Sequence, residues 1–311
     1  MRIVFMGTPD FARDSLKAIV EAGHEIELVI TNPDKMKGRG MKKSFSEVKE
    51  YALEKGLPIE QPLKVRNNQE LVDKLKEINP DVICVVAYGK IIPKEILEIP
   101  KYGCINVHGS LLPKYRGAAP IQWSVLNGDK ETGVTTMFMD EGMDTGDMIE
   151  KEKLQIGEDE TTGELWDRMS ELGAKMLVST LEKLESGNYK REKQSDDFSV
   201  APMLKKEMAR IDWNKDDSAK IKNLVRGLNP FMGAFSFLND KKIKFWKVKI
   251  IDEKFDEKPG TVIMADEKKG LIISTLDGAI SVLEIQGENA RKMPFSDYLR
   301  GNKILSGDIF K

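Results

Sequence analysis

Hydrophobic and polar positions follow two rhythms through the first 186 residues. Short apolar runs typical of β-strands alternate with segments whose apolar residues recur every three or four positions, as in amphipathic helices. The pattern predicts strands at 2–6, 25–31, 82–87, 104–108 and 134–139, and helices at 11–21, 46–55, 69–78 and 162–185. The unbroken apolar run at 82–87 predicts a central strand, and the alternating segment 148–156 predicts an edge strand. This βα alternation predicts an α/β fold with a Rossmann-like, mostly parallel sheet covered by helices.

The rhythm changes after residue 188. The stretch 189–206 is polar and irregular, which predicts a linker. Beyond it a helix at 218–228 precedes five strand candidates, at 234–238, 243–251, 260–264, 270–275 and 279–286. Five short strands separated by turns predict a small OB-like β-barrel. We therefore expect one domain at 1–188 and a second at 207–311, in line with about two domains for a chain of 311 residues.

Composition adds little to this picture, because 40% hydrophobic and 32% charged residues with a net charge of −2 describe an ordinary globular protein. The apolar opening, residues 1–7, is too short for a signal-peptide core or a membrane span, so we expect a cytoplasmic protein with no membrane partner. Cys84 and Cys104 lack metal-type spacing and are predicted to be buried free thiols. Residues 206–311 carry 20 Lys and Arg against 16 Asp and Glu, which would suit a domain that meets phosphates.

One run, residues 106–113, combines residue types that acyl transfer needs. In a strand that ends at His108, Asn106 and His108 lie on the same face, since side chains two positions apart point the same way. Acyl transfer to an amine passes through a tetrahedral oxyanion, which needs an N–H donor and a group that handles protons. Asn106 can supply the donor and His108 the proton. Asp144, between two glycines that let its loop turn back, is the candidate carboxylate beside the imidazole.

Each of these residues also has a structural explanation. A lone histidine at a strand end is commonly a structural hydrogen-bonding residue, and an aspartate in a Gly-rich loop is often a turn former. The rest of the chain narrows the chemistry, because it has no obvious nucleophile elbow, no G-x-G-x-x-G dinucleotide fingerprint and only two histidines, His24 and His108. We therefore predict direct acyl transfer without a metal, bound NAD or a covalent enzyme intermediate.

Several segments of the chain resemble the methionyl-tRNA formyltransferases. They are 7–11, 86–89, 103–108, 109–120 and 143–147 in the first domain, and 209–213 and 226–230 in the second. The first domain alone resembles the whole formyl-tetrahydrofolate transferase superfamily. Residues 116–122 and the two C-terminal segments narrow the resemblance to the tRNA enzymes.

The resemblance implies transfer of the formyl group of 10-formyltetrahydrofolate to the α-amine of methionine on initiator tRNA. It implies that Asn106, His108 and Asp144 are catalytic. The residues expected to hold the folate are Ser110, Leu111, Leu112, Pro113, Tyr88 and Gly89. The amine must be neutral to attack, so Asp144 has two possible duties, tuning His108 or holding a base or water, and the sequence does not separate them.

A basic run at residues 34–43 has five Lys or Arg in ten positions, with two glycines. Such a run is often a solvated loop. It follows the second predicted strand, however, at the same end of the sheet as His108, and the family carries a comparable basic insertion for the acceptor arm. The predicted tRNA contacts are Lys35, Lys37, Arg39, Lys42, Lys43 and Arg116, with Arg39 foremost. Basic residues of the barrel are further candidates that the sequence does not rank.

Two alternatives stay open. A nucleotide-sugar amine N-formyltransferase would use the same chemistry and can also carry a barrel, but the basic run argues against it. A non-catalytic RNA-binding relative is the other, against which the retention of Asn106, His108 and Asp144 argues. A monomer is expected in either case.

Overall fold

The computed structural model describes residues 1–37 and 42–311. The strands of its first part are β1 (Arg2–Gly7), β2 (Glu25–Ile30), β3 (Lys35–Lys37), β4 (Lys42–Ser44), β5 (Ile59–Glu60), β6 (Val82–Val86), β7 (Cys104–His108), β8 (Glu131–Phe138) and β9 (Met148–Gln155). Seven of them form one sheet in the order β5-β2-β1-β6-β7-β8-β9, while β3 and β4 pair with each other. The sheet is parallel from β5 to β7, and β8 runs antiparallel to β7.

Helices connect these strands, and each of them buries apolar residues. They are α1 (Asp10–Glu21), α2 (Glu47–Glu54), α3 (Gln69–Ile78), α4 (Lys94–Leu97), α5 (Pro120–Leu126) and α6 (Thr162–Ser186). Two begin at side-chain caps, since Ser46 accepts from the amide of Lys49 and Asn68 from that of Leu71. α3 ends at Asn79, whose φ of 47° places it in the left-handed region.

The order of the strands indicates which end of the sheet is expected to bind a ligand. The chain builds outward from β1 to β2 and then returns to the other side of β1 as β6, so the strand order reverses between β1 and β6. Ligands of open α/β sheets bind at such a point, beyond the carboxyl ends of the strands. β6 is buried along its whole length, as predicted for a central strand, and β9 lies at the predicted edge. Both predictions are confirmed.

The second part of the chain is an all-antiparallel sheet with two helices. Its elements are α7 (Ser218–Gly227), β10 (Ala234–Leu238), β11 (Lys241–Ile251), β12 (Val262–Asp266), β13 (Gly270–Ser274), β14 (Ala279–Gln286), β15 (Met293–Pro294) and α8 (Phe295–Gly301). The strand order is β10-β11-β14-β13-β12, and β15 pairs with β14. The five predicted strands are all present, and the predicted fold class is confirmed for both parts of the chain.

The last residues of the chain join the two edges of this sheet. Lys311 exchanges backbone hydrogen bonds with Phe237 on β10, at 2.8 and 3.1 Å. On the other edge, the amide of Val262 donates to the carbonyl of Asp308 (2.8 Å), and that of Phe310 to Gly260 (2.9 Å). The terminal segment therefore closes the sheet into a barrel, which removes its free edges.

We expect Phe310→Ala to destabilise this barrel by about 3–5 kcal/mol, because the ring is buried in its core. Phe310 is 2% exposed and lies between Trp213 and Phe245, at centroid distances of 6.1 and 5.4 Å. Urea denaturation measures the change. The matched control is Ile309→Ala, whose side chain is 47% exposed and should change stability by no more than roughly 0.5 kcal/mol. Equal stabilities for the two variants would contradict this packing.

The chain divides into two compact units, and each unit contains segments that are separated in the sequence. One unit comprises Met1–Pro120, Thr132–Gln155 and Trp166–Pro202. The other comprises Ile121–Glu131, Ile156–Leu165 and Met203–Lys311. Within the second unit, the Thr162 hydroxyl donates to the carbonyl of Gly227 (2.8 Å), and Arg226 donates to that of Gly157 (3.1 Å). The expected linker, 189–206, thus divides at Pro202 between the two units.

Both cysteines are buried free thiols, as predicted. Burial raises the pKa of Cys104 to about 12 and moves that of Cys84 in the same direction. Across residues 1–37 and 42–311, no helix combines the length and the apolar character that crossing a membrane requires.

Candidate active site

The site lies at the carboxyl end of β7, which carries two of the predicted catalytic residues. Asn106 pairs with Val85 of the buried strand β6, and His108 pairs with Thr135 of β8. β7 is therefore held by β6 up to Asn106 and by β8 up to its last residue, His108. Because alternate side chains of a strand share a face, Asn106 and His108 project together from this fixed backbone.

The structure brings both side chains to Asp144. The amide Nδ2 of Asn106 lies 3.4 Å from Asp144 Oδ1, and His108 Nδ1 lies 3.6 Å from Oδ2. The backbone amide of Gly117 donates to the same Oδ2 at 2.8 Å. The side chain of His108 is 5% exposed and that of Asp144 17%, and Asn106 is half-buried, so the imidazole is the most deeply buried of the three.

The other nitrogen of the imidazole fixes its tautomer. His108 Nε2 lies 2.9 Å from the backbone carbonyl of Tyr115. A carbonyl oxygen only accepts hydrogen bonds, so Nε2 carries a proton in either charge state. Nδ1 is therefore the nitrogen that gains or loses a proton, and it is the one that faces Asp144.

Asp144 stands on the connection between β8 and β9 in a constrained backbone conformation. Its φ is 54°, in the left-handed region that most non-glycine residues avoid. The base of this loop is closed by the Phe138 amide, which donates to the carbonyl of Asp147 at 2.9 Å. A Cβ at Gly146 would collide with the carbonyl of Phe138, so the glycine permits this close approach.

A residue that the sequence pattern did not indicate holds this loop from outside. Gln194 donates from Nε2 to the carbonyls of Asp144 and Gly146, both at 2.8 Å. Its Oε1 accepts from Arg116 Nε at 2.9 Å, and the Arg116 guanidinium lies 4.5 Å above the ring of Phe198. Arg116, predicted as a tRNA contact, is thus part of the network around Asp144. Gln194 gave no signal because it lies in a polar, irregular stretch.

The turn after His108 is built around two hydroxyl groups. Ser110 is fully buried and donates to the carbonyl of Lys114 at 2.5 Å. Thr135 donates to the carbonyl of Ser110 at 2.7 Å and accepts from the amide of Leu112 at 3.1 Å. Of the predicted folate residues in this turn, Ser110 and Leu112 are therefore buried, while Leu111 and Pro113 are half-buried.

The other predicted folate residues follow β6. The side chain of Tyr88 is 2% exposed and packs in the core of the sheet, where burial raises its pKa to about 12. Asn32 donates to the Tyr88 carbonyl (2.9 Å) and to the Thr8 hydroxyl (3.0 Å), which ties the ends of β1, β2 and β6 together. Ala87 and Gly89 are exposed with φ values of 43° and 74°, so this loop presents its backbone, not the tyrosine ring, at the surface.

The described parts of the basic run lie on β3 and β4, which pair with each other and are called the basic hairpin below. Of the predicted tRNA contacts, Lys35 and Lys37 lie on β3 and Lys42 and Lys43 on β4, while Arg39 lies outside the described residues. At the hairpin base, Asp34 and Lys49 form a buried ion pair of 2.7 Å, with side chains 7% and 12% exposed. Gln61 donates to Asp34 as well (2.9 Å), so the entry to the hairpin is anchored beside α2.

Within the described part of the chain, no group of three or more His, Cys, Asp and Glu side chains is arranged to hold a metal ion.

Some basic residues of the barrel unit already form ion pairs or are buried. Lys220 pairs with Asp216 at 2.6 Å, Lys222 with Asp159 at 2.7 Å, and Arg226 is 8% exposed. These contacts make all three side chains weaker candidates for binding phosphate.

Comparison with known proteins decides which acyl transferases this site belongs with. The formyl transferase family matches residues 1–181, and the formyl transferase C-terminal domain matches residues 203–303. A methionyl-tRNA formyltransferase of Caldanaerobacter subterraneus subsp. tengcongensis is 51% identical over 312 aligned positions, covering 100% of both chains. The chain belongs to the methionyl-tRNA formyltransferase family. A relative of that name from Clostridioides difficile is also 51% identical, over 99% of each chain.

Solved structures show the same fold at lower identity. Aquifex aeolicus HypX in complex with tetrahydrofolic acid matches with a TM-score of 0.65 and 18% identity, over 100% of this chain and 51% of HypX. WlaRD, a sugar 3N-formyl transferase, matches with a TM-score of 0.64 and 23% identity, over 94% and 99% of the two chains. At these identities the likeness supports the fold alone. The full-length relatives place this member of the formyltransferase family among the tRNA enzymes.

Proposed function

We propose that the protein transfers the formyl group of 10-formyltetrahydrofolate to the α-amine of methionyl initiator tRNA. The observation that carries this is the meeting of Asn106, His108 and Asp144 at one strand end, in a chain that matches methionyl-tRNA formyltransferases over its full length. These relatives are methionyl-tRNA formyltransferases, and methionyl-tRNA is accordingly the proposed acceptor. The donor is the one that the resemblance implies, and HypX, a protein of the same fold, was solved in complex with tetrahydrofolic acid.

The reaction joins the amine nitrogen to the formyl carbon and breaks the bond from that carbon to N10 of the folate. The formyl oxygen carries the negative charge of the tetrahedral intermediate. Asn106 Nδ2 has two N–H groups, of which one is directed at Asp144 and the other can donate to this oxygen. The proton lost by the amine must finally reach N10, so a group that can both accept and donate a proton is needed nearby.

His108 suits this second role at Nδ1. Its Nε2–H is committed to the carbonyl of Tyr115, so only Nδ1 can accept a proton and donate it again. Asp144 Oδ2 lies 3.6 Å from this nitrogen and faces it. The carboxylate is also partly exposed, which leaves it able to orient a water or the incoming amine. We assign both duties to the same carboxylate, acting at different stages of the transfer.

The folate is proposed to lie against the two loops that follow the neighbouring strands β6 and β7. Residues 87–89 present exposed backbone there, and the turn at 110–113 is fixed by the Ser110 and Thr135 hydroxyl groups. Both loops lie at the carboxyl end of the sheet, where β6 borders the point at which the strand order reverses and β7 is the next strand. Leu111 and Pro113 supply apolar contacts, and Tyr88 supports its loop from the core.

The basic hairpin is proposed to hold the acceptor arm of the tRNA. Its lysines, together with Arg39, would contact phosphates, which position a nucleic acid without reading its sequence. The buried pair of Asp34 and Lys49 fixes where the hairpin leaves the α/β unit. Coulombic contacts of this kind make the affinity fall steeply as salt is added.

We expect Arg39→Ala to lower kcat/KM for methionyl-tRNA about tenfold. The slope of log KM against log salt concentration should decrease by about the amount that one phosphate contact contributes. The KM for 10-formyltetrahydrofolate should stay within twofold of the wild-type value. Arg2→Ala is the matched control, since Arg2 begins β1 at the opposite end of the sheet and pairs with Glu27. If both variants lost the same fraction of kcat/KM for methionyl-tRNA, the proposed role of the basic run in tRNA binding would be wrong.

A product assay tests the function itself. Purified protein is incubated with 10-formyltetrahydrofolate and either methionyl initiator tRNA or a nucleotide-linked amino sugar. We expect formyl-methionyl-tRNA and no formylated sugar. Formylation of the sugar alone would favour the nucleotide-sugar alternative, and RNA binding without either product would favour a non-catalytic relative.

A further inference from the structure

One side chain of the segment after α6 contacts the loop that carries Asp144. In the described residues 187–200, every residue except Gln194 is exposed. Gln194 instead turns inward, and its amide uses both its donor and its acceptor ends. A side chain that is covered within an otherwise exposed segment is held there by these contacts.

The contacts of Gln194 define the conformation of the Asp144 loop. The carbonyls of Asp144 and Gly146 converge on the single nitrogen Nε2, each at 2.8 Å. Carbonyls two residues apart can converge in this way only when the chain turns between them, as it does with Asp144 at a φ of 54°. The two hydrogen bonds therefore favour the left-handed conformation from which the carboxylate reaches His108.

Arg116 fixes the orientation of the Gln194 amide. Its Nε donates to Oε1 at 2.9 Å, so Oε1 points to the guanidinium and Nε2 to the two carbonyls. A flipped amide would set a donor against a donor at one end and an acceptor against acceptors at the other. Backbone hydrogen bonds of Arg116 with Ser199 (2.9 Å) and Ala201 (2.7 Å) hold the arginine and the Gln194 segment together.

These contacts close a ring around Asp144. Gly117, next to Arg116, donates to the carboxylate, while Gln194 binds the backbone of the same residue. We propose that Gln194 is a positioning residue for formyl transfer, which holds Asp144 against His108 and Asn106 and is itself oriented by Arg116. This role rests on the proposed function of Asp144. The amide of Gln194 is engaged by the two loop carbonyls and by Arg116, so it acts on the rate through the loop.

Gln194→Glu tests the role sharply. The variant keeps the size of the side chain and an acceptor for Arg116, but it loses both N–H donors to the carbonyls. We expect kcat to fall about 10- to 100-fold, since small displacements of catalytic groups have effects of this size. The KM for 10-formyltetrahydrofolate should stay within threefold of wild type. Glu192→Gln, on the same exposed segment, is the control and should keep the wild-type kcat.

Two further measurements separate positioning from a general structural effect. In an Asp144→Asn background, Gln194→Glu should lower kcat no further, because both changes act through the same carboxylate. Without substrates, hydrogen exchange should speed up at the Gly117 amide and across residues 143–147 in Gln194→Glu. A wild-type kcat, an undiminished loss in the Asp144→Asn background, or unchanged exchange in the loop would each overturn the proposal. A wild-type protein that formylates no methionyl-tRNA would instead refute the proposed function, with the exchange result still deciding whether Gln194 holds the loop.

Discussion

His108→Ala should lower kcat for formylation of methionyl-tRNA by about 10²–10⁴-fold, the usual contribution of a positioned acid–base group. The loss is expected because Nδ1 is the only imidazole nitrogen free to move a proton, Nε2 being committed to the carbonyl of Tyr115. Tetrahydrofolate should still bind with an affinity near that of wild type, since the turn at 110–113 is held by Ser110 and Thr135 and not by the imidazole. Steady-state kinetics and a folate titration measure the two quantities.

The second histidine provides the control for this variant. His24 lies near the amino terminus of the chain, with Nδ1 3.4 Å from the Met1 nitrogen, and takes no part in the site. His24→Ala should therefore keep the wild-type kcat. A turnover of His108→Ala within threefold of wild type would contradict the assignment of proton transfer to His108.

Asp144→Asn should lower kcat by about 10²–10³-fold while changing the shape of the side chain very little. The new amide has only one acceptor. If that oxygen faces Gly117 and His108, the NH₂ group meets the donor Nδ2 of Asn106, and if it faces Asn106, the Gly117 amide loses its partner. The negative charge that faces His108 Nδ1 is lost in both orientations. In a site where the carboxylate alone selects the tautomer of the histidine, removing its charge lowers kcat more. Here the carbonyl of Tyr115 already fixes the tautomer of His108, so we expect a smaller loss of kcat than in such a site.

The same loop supplies a matched control for this change of charge. Asp140 accepts from the Thr145 hydroxyl (2.6 Å) and the Gly142 amide (3.0 Å) through Oδ1 alone. Asp140→Asn can keep this oxygen as an acceptor and should retain kcat within about threefold of wild type. Comparable losses in Asp140→Asn and Asp144→Asn would show that loop structure, and not the carboxylate at 144, limits the rate.

The strand that carries the site could be predicted because its signals are local. The apolar run ending at His108 fixes the strand, and the period of two places Asn106 and His108 on one face. The glycines around Asp144 indicate a turning loop, although its distance to His108 comes only from the fold. Tyr88 shows the limit of such reasoning. It follows a strand at the functional end of the sheet, yet its ring packs into the core and leaves the backbone of its neighbours exposed.

Features that depend on contacts between distant segments could not be predicted. Gln194 reaches Asp144 across 50 positions of sequence, and nothing in its polar surroundings distinguishes it from the neighbours that remain in solvent. The sequence pattern predicts that residues 156–165 are part of the first domain. In the structure they belong to the barrel unit, where Thr162 donates to Gly227 and Arg226 donates to Gly157. The closing segment at 308–311 is too short for a periodic pattern, and only its pairing with two strand edges reveals its role.

The most direct test of the account follows the formyl carbon itself. Enzyme in excess is mixed with 10-formyltetrahydrofolate labelled in that carbon, first alone and then with methionyl initiator tRNA, and the protein and the tRNA are separated at short times. Direct transfer predicts no label on the protein at any time, and label on the methionine amine at a rate reduced in Asn106→Ala and His108→Ala. Label that accumulates on the protein before it reaches the tRNA, or transfer at the wild-type rate in both variants, would contradict it.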